Sequence, residues 1–325
     1  MILSYALFIF KEEKMGKYIT RRVIMSILTL LVILLILFLM LQFMPGSPFN
    51  DEKLSQAQLA LLEAKYGLDK PVWIQYIYYV GNMVRGDLGV SYAINPNFAV
   101  ATMLAPRLAV SVSIGLQAMV LGSIIGLLLG IVAALNHNTI IDSITSAISV
   151  IGVSIPSYVF ALGLAYFFGY KLGLVPFFYS VTEPAASSIL PIIALSVFTI
   201  ANVARFTRSE LLDVLGSDYI LLAESKGIKK YQMILKHALR NALIPVVTIM
   251  GPLLVGLLTG SMVVERIFSI PGIGGLMVDA ITMNDYNVVI ACAFVYSLLY
   301  VVAMLIVDIL YGIIDPRIRV TKGES

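Results

Sequence analysis

The chain has 325 residues, 59% hydrophobic and 13% charged, with a formal net charge of +3 and a mean hydropathy of +0.94. Soluble domains carry about 25% charged residues, so this balance excludes a disordered protein, a coiled coil and an ordinary cytosolic enzyme, and leaves no polybasic footprint for nucleic acid. What remains is a polytopic membrane protein; the single cysteine, Cys292, excludes an internal disulfide, and His137 and His237 are too far apart in sequence for a clustered metal site.

Crossing a hydrocarbon core of about 30 Å takes about 20 apolar helical residues. Such runs fall at 23–44, 108–135, 142–170, 188–206, 241–264 and 286–314. They predict an all-α integral membrane protein with six transmembrane helices, because backbone groups in lipid must be satisfied internally and no ten-residue alternating segments occur. Segment 1–22 begins with a short apolar stretch followed by Lys-Glu-Glu-Lys, without the basic region or cleavage site of a signal peptide. Two readings stand for it: the natural start is Met15, or residues 1–14 form an amphipathic segment lying on the membrane.

Between the first two runs, 45–107 is too long for a turn and reads as a small helical cap. Pro45-Gly46-Ser47-Pro48 breaks the first helix, Ser55 with Gln58 resembles a capping box, and Gly67 is the expected stop. Asp69 and Pro71 predict the cap and first turn of a second helix, with Trp73, Tyr76, Tyr78 and Tyr79 suited to a membrane interface, and Gly86-Asp87-Leu88-Gly89 predicts its end.

Within the spans, Gly122, Gly126 and Gly130 form a small-xxx-small series, as do Gly256 and Gly260, both read as close-packing faces. Pro156 is expected to kink the third span. Gln117, Asn202 and Asp308 are the notable polar groups, candidates for the transport pathway or for structural bonds. Segments 171–187 and 265–285 read as loops.

Segment 207–240 reads as the end of a helix, a short transverse helix after Ser217-Asp218, a sharp turn at Gly227, and a helix running into the fifth span, where Pro245 is expected to bend it. The short helix is either a knob for a partner's socket or part of a solvated amphipathic loop.

Fifteen basic residues (Lys11, Lys14, Lys17, Arg21, Arg22, Arg205, Arg208, Lys226, Lys229, Lys230, Lys236, Arg240, Arg317, Arg319 and Lys322) fall on one side if the spans alternate. Six (Lys53, Lys65, Lys70, Arg85, Lys171 and Arg266) fall on the other. This asymmetry predicts that both termini, including the tail 315–325, are cytoplasmic.

The chain has no G-x-x-x-x-G-K-[ST], G-x-S-x-G or H-E-x-x-H run and no matched pair of broken helices bearing ionisable residues. No catalytic, cofactor-binding or metal residues are assigned. A transport body of this kind is expected to draw its energy from elsewhere; the competing class is a self-sufficient ion-coupled carrier or channel.

Taken in order, several pieces resemble a known family. They are Tyr18-Ile19-Thr20-Arg21-Arg22, Pro45-Gly46-Ser47-Pro48, Tyr66-Gly67-Leu68-Asp69-Lys70-Pro71, Gly86-Asp87-Leu88-Gly89-Val90-Ser91, Asp218-Tyr219 through Ala223, Lys226-Gly227, His237-Ala238-Leu239-Arg240-Asn241-Ala242, Glu265 with Phe268, Pro271-Gly272-Ile273-Gly274 and Asp315-Pro316-Arg317. The chain is similar to permease subunits of ATP-binding-cassette importers for dipeptides, oligopeptides and nickel. The resemblance implies a type I importer permease fold in a prokaryotic cell membrane. It implies as partners a second homologous permease, two ATPase subunits that bind ATP and magnesium, an extracytoplasmic substrate-binding protein and membrane lipid.

It also implies a coupling helix at Asp218, Tyr219, Ala223, Glu224, Lys226, Gly227, Ile228 and Lys229, although only Ala223 and Gly227 match the general importer signature of Glu-Ala-Ala, three residues, Gly. Asn287 stands where the family often has proline. The stretch from Pro48 to Ser55 looks most like the oligopeptide branch; nickel and oligosaccharide relatives remain as alternatives.

Overall fold

The computed structural model describes residues 2–42 and 56–314. The Pro45–Pro48 motif, Ser55 of the capping box, the Pro48-to-Ser55 stretch and Asp315-Pro316-Arg317 lie outside the described residues, as do the side chains of Gly260 and Asp308.

The chain forms two compact units, one from residues up to Ser111 with Pro271–Leu305, the other from Val112–Ile270 and the residues from Ile306. Among the described residues, five helical segments, Thr20–Met40, Val100–Leu135, Pro184–Leu215, Tyr231–Leu257 and Tyr286–Val307, are long and apolar enough to cross a membrane. The pair Ile140–Ser154 and Ser157–Lys171, bent by 100°, makes a sixth when taken as one span. The expected single kinked helix over 142–170 is therefore a broken span. The cause is local: a residue before proline is pushed out of the helical region, and Ile155 (ψ 124°) and Pro156 (ψ 141°) are both extended.

In the first unit, α1 (Ile2–Gln42) runs unbroken through the segment expected to precede the span. Lys-Glu-Glu-Lys contains good helix formers and does not interrupt it. The cap consists of α2 (Gln56–Tyr66) and α3 (Val72–Val84), which end before Gly67 and Gly86 as the sequence predicts. The start of α3 differs from expectation. Pro71, not Asp69, is the N-cap, and the Gln75 amide reaches back to donate to the Leu68 and Lys70 carbonyls at 3.0 and 2.7 Å.

The aromatic residues of α3 also divide. Trp73 and Tyr78 are exposed, but Tyr76 and Tyr79 turn inward onto α1, with Phe38 edge-on to Tyr76 at 5.8 Å and the Tyr76 hydroxyl donating to the Leu31 carbonyl at 2.8 Å.

Segment 265–285, expected to be a loop, contains α12 (Ile273–Thr282), which buries Ile273, Leu276 and Ala280 at helical spacing. Its first amide donates to Ser111 Oγ at 2.9 Å. These residues join Leu34, Val100, Val288 and Cys292 in the core of this unit.

Before α13 (Tyr286–Ile314), the fully buried Asp285 carboxylate gathers one loop around itself. It accepts from Ser91 Oγ at 2.5 Å and from the amides of Tyr92, Ala93 and Ile94 at 3.0–3.1 Å. Beside it the Asn287 amide donates to the Val90 carbonyl at 2.7 Å, a bond proline could not make. Gly89, at φ +75°, lies so close to this amide that a Cβ would overlap it.

The second unit is built on α8 (Ile189–Leu215), against which α5 (Ile140–Ser154) and α6 (Ser157–Leu164) both pack. The Gly122 series lies on α4 (Val100–Leu135) and meets α8 in step. A Cβ on Gly122, Gly126 or Gly130 would fall 2.7 Å from Thr199, 2.8 Å from Val203 and 2.6 Å from Thr207, respectively. Both members of each contact advance by four residues, so the two helices run parallel, as alternating second and fourth spans must. In α11 (Leu239–Ile267) a Cβ on Gly251 would overlap Val307, while a Cβ on Gly256 would meet nothing within 4 Å. Pro245 and Pro252 both lie inside α11.

Candidate functional site

Between α8 and α11 the backbone makes the sequence of turns the residues predict. Gly216 and Ser217 lead into α9 (Asp218–Ser225). Ser217 occupies the N-cap with extended backbone, but its hydroxyl donates back to the Val214 carbonyl at 2.5 Å and does not cap. Asp218 stands in the first turn, where a carboxylate favours the helix dipole.

The helix closes at Lys226 and Gly227 in a paired arrangement. The Gly227 amide donates to the Glu224 carbonyl at 2.8 Å and the Ile228 amide to the Ala223 carbonyl at 3.3 Å. This Schellman pattern needs a left-handed residue after the cap, and Gly227 has φ +74°. Nothing lies within 4 Å of the position a Cβ would take there, so backbone conformation alone demands glycine. Lys229 precedes the short helical turn α10 (Lys230–Met233), which passes through a π-type turn at Ile234–Ala238 into α11.

The faces of α9 separate what holds it from what it offers. Ile220 and Ala223 are buried, in one cluster with Ala134, Leu211, Met233, Ala238 and Ala242, and Ile228 packs against that cluster. Tyr219, Leu221 and Leu222 are 43%, 56% and 56% exposed. Glu224, Lys226 and Lys229 are exposed around them. The Tyr219 hydroxyl is held by the Asn241 amide at 3.0 Å. The exposed apolar side of this short helix, ringed by charged residues, makes it the candidate site.

A second cluster was not legible in the sequence. Asp142, 4% exposed in the first turn of α5, receives Arg208 of α8 through two bonds, Nε to Oδ1 at 2.5 Å and Nη2 to Oδ2 at 2.8 Å. The Asn138 amide donates to Oδ2 at 3.0 Å, and His137 Nδ1 lies 3.2 Å from it. Sequence reasoning used Asp142 only as the edge of a span and Arg208 only in the charge count. The available signal was that two opposite charges close adjacent spans at the end predicted to be cytoplasmic.

Gln117 and Asn202 make local bonds within their own helices. Gln117 is exposed and its amide donates to Ser113 Oγ at 3.0 Å. The Asn202 amide donates to the Phe198 carbonyl at 2.8 Å. Asp308 falls within α13, its side chain outside the described residues.

The apolar helices long enough to cross a bilayer define a polytopic membrane protein. Comparison with known proteins agrees. Residues 126–320 match the family described as the inner membrane component of binding-protein-dependent transport systems, and residues 15–115 match its N-terminal companion. The chain is 46% identical over 305 residues to the dipeptide transport system permease protein DppB of Lactococcus lactis subsp. cremoris, covering 94% of this chain and all of that protein. It is 40% identical over 309 residues to DppB of Bacillus subtilis, covering 95% and 99%. It is 39% identical over 306 residues to the oligopeptide permease OppB of Escherichia coli K12, covering 94% and 100%.

A chain of the MetNI methionine ABC transporter has the same fold, with a TM-score of 0.52 at 19% identity over 66% of this chain and 97% of that one. The chain belongs to the family of inner membrane permease components of binding-protein-dependent ABC transport systems. It is a multi-pass inner membrane protein that works with other ABC components.

Proposed function

We propose that this chain forms half of the translocation pathway of an ATP-driven importer for dipeptides or oligopeptides. The observation that carries the reading is the closed helix α9 with its exposed Tyr219, Leu221 and Leu222, in a chain whose full-length relatives are named as dipeptide and oligopeptide permeases. In this reading both termini and α9 face the cytoplasm. A second homologous permease completes the pathway, two ATPases bind ATP and magnesium and seat α9, and an external binding protein delivers the peptide. The chain itself catalyses nothing.

The test is uptake into vesicles holding the permease pair and both ATPases, with the binding protein and a labelled peptide outside. Peptide should accumulate only with ATP inside, at a rate unchanged by a protonophore, and vesicles holding this chain alone should hydrolyse no ATP above a blank. Accumulation driven by a proton gradient without ATP would establish the ion-coupled carrier instead.

A further inference from the structure

The structure joins α9 to the broken span through α8. Helix α8 runs from Ile189 to Leu215 without interruption, and only Gly216 and Ser217 separate it from α9. The buried face of α9 packs with Leu211 on α8. Arg208 lies seven residues before the end of α8, about 10 Å by the helical rise. Its guanidinium therefore sits one short lever arm from the docking helix.

What it holds is α5, a half span whose other end at Ile155 and Pro156 turns away by 100°. Along its length α5 meets α8 through apolar and small groups, such as Gly152 against Ala201. Contacts of that kind oppose sliding or rotation only through packing, with no directional bond. One planar fork adds two charge-assisted bonds of fixed direction. The Asn138 amide and the His137 ring occupy further sides of the same carboxylate, so it cannot swing to follow a moving arginine.

We propose that Asp142 and Arg208 are a positioning pair that makes α5 move as one piece with α8 and α9, delivering displacement of the docking helix to the broken span. The proposal rests on the reading of α9 as the site where ATPases act.

The experiment uses the complete reconstituted transporter, with ATP hydrolysis and peptide uptake measured on the same vesicles. Replacing both partners, Asp142→Leu with Arg208→Met, removes the ion pair without stranding either charge, so the complex should assemble and retain its ATPases. Uptake per ATP hydrolysed should fall about fivefold or more, the ordinary scale of a coupling between sites. Arg208→Lys keeps the charge but loses the fork, and should give a smaller loss in the same ratio.

Wild-type uptake per ATP in the double variant would overturn the proposal and leave the pair a structural bond. Should the double variant not assemble, an unchanged ratio in Arg208→Lys would overturn it equally. Failure of the wild-type vesicles to take up peptide with ATP would instead reject the functional reading beneath the proposal.

Discussion

Gly130→Val should sharply lower the yield of transporter that survives detergent extraction and mild heating. A Cβ on Gly130 falls 2.6 Å from both the Ala204 carbonyl oxygen and Thr207 Cβ. Neither neighbour can yield: one is helix backbone and the other belongs to a fully buried β-branched residue. The helices must part, and because Gly122 and Gly126 lie in the same seam, parting opens contacts at Thr199 and Val203 as well. Overpacking of this kind costs about 1–3 kcal/mol, and a loss of about 3 kcal/mol lowers the folded-to-unfolded ratio roughly a hundredfold. Yield of monodisperse protein after detergent extraction and mild heating measures the effect. Gly163→Ala is the control: nothing lies within 4 Å of its Cβ position, so it should extract as wild type. Equal yield of Gly130→Val would mean that α4 and α8 are not closely packed there.

The second large effect is expected at Gly227. Its left-handed backbone closes α9, and an L side chain resists that conformation by about 1–2 kcal/mol per residue, more when β-branched. Space around the residue is open, so the loss arises from conformation alone and the spans are untouched. Gly227→Val should therefore insert and pair with a second permease, yet recover the ATPases about tenfold less well on co-purification, the ratio that about 1.4 kcal/mol produces. Alanine should be milder. Asparagine, which tolerates the left-handed region, should be close to wild type. Glu224→Ala and Lys229→Ala, both exposed charges, should change recovery little. If valine and asparagine behave alike, the turn is not what positions the helix.

Much of this was legible in the sequence because it is local. Apolar run length marked the spans, glycine marked the ends of α2, α3 and α9, and a tandem glycine series marked the seam between α4 and α8. Local reasoning placed α9 within a residue of its observed bounds, because cap residues and a left-handed glycine act over one turn of chain. The misses have common physical causes. Asp285 binds a loop 191–194 residues away, and Arg208 meets Asp142 across 66. No periodicity encodes such pairings, since loop closure over long segments is decided by the whole fold. Helix α12 lies in a segment whose run of apolar residues is too short to span a bilayer, although the spacing of Ile273, Leu276 and Ala280 signals a buried face. Pro156 was recognised, but its consequence was underestimated: with the preceding Ile155 also extended, the span breaks and does not merely bend.

The central claim is that α9 is the cytoplasmic seat of an ATPase. A photoactivatable benzoyl-phenylalanine replacing Leu222, on the exposed face of α9, tests it in membranes holding the whole transporter, with exposed Leu61 of α2, in the segment expected outside from the charge asymmetry, as the comparison. On illumination, position 222 should form a covalent adduct with an ATPase subunit and position 61 should not. An adduct of position 222 with the external binding protein, or none with an ATPase while position 61 gives one, would contradict both the docking assignment and the orientation of the chain.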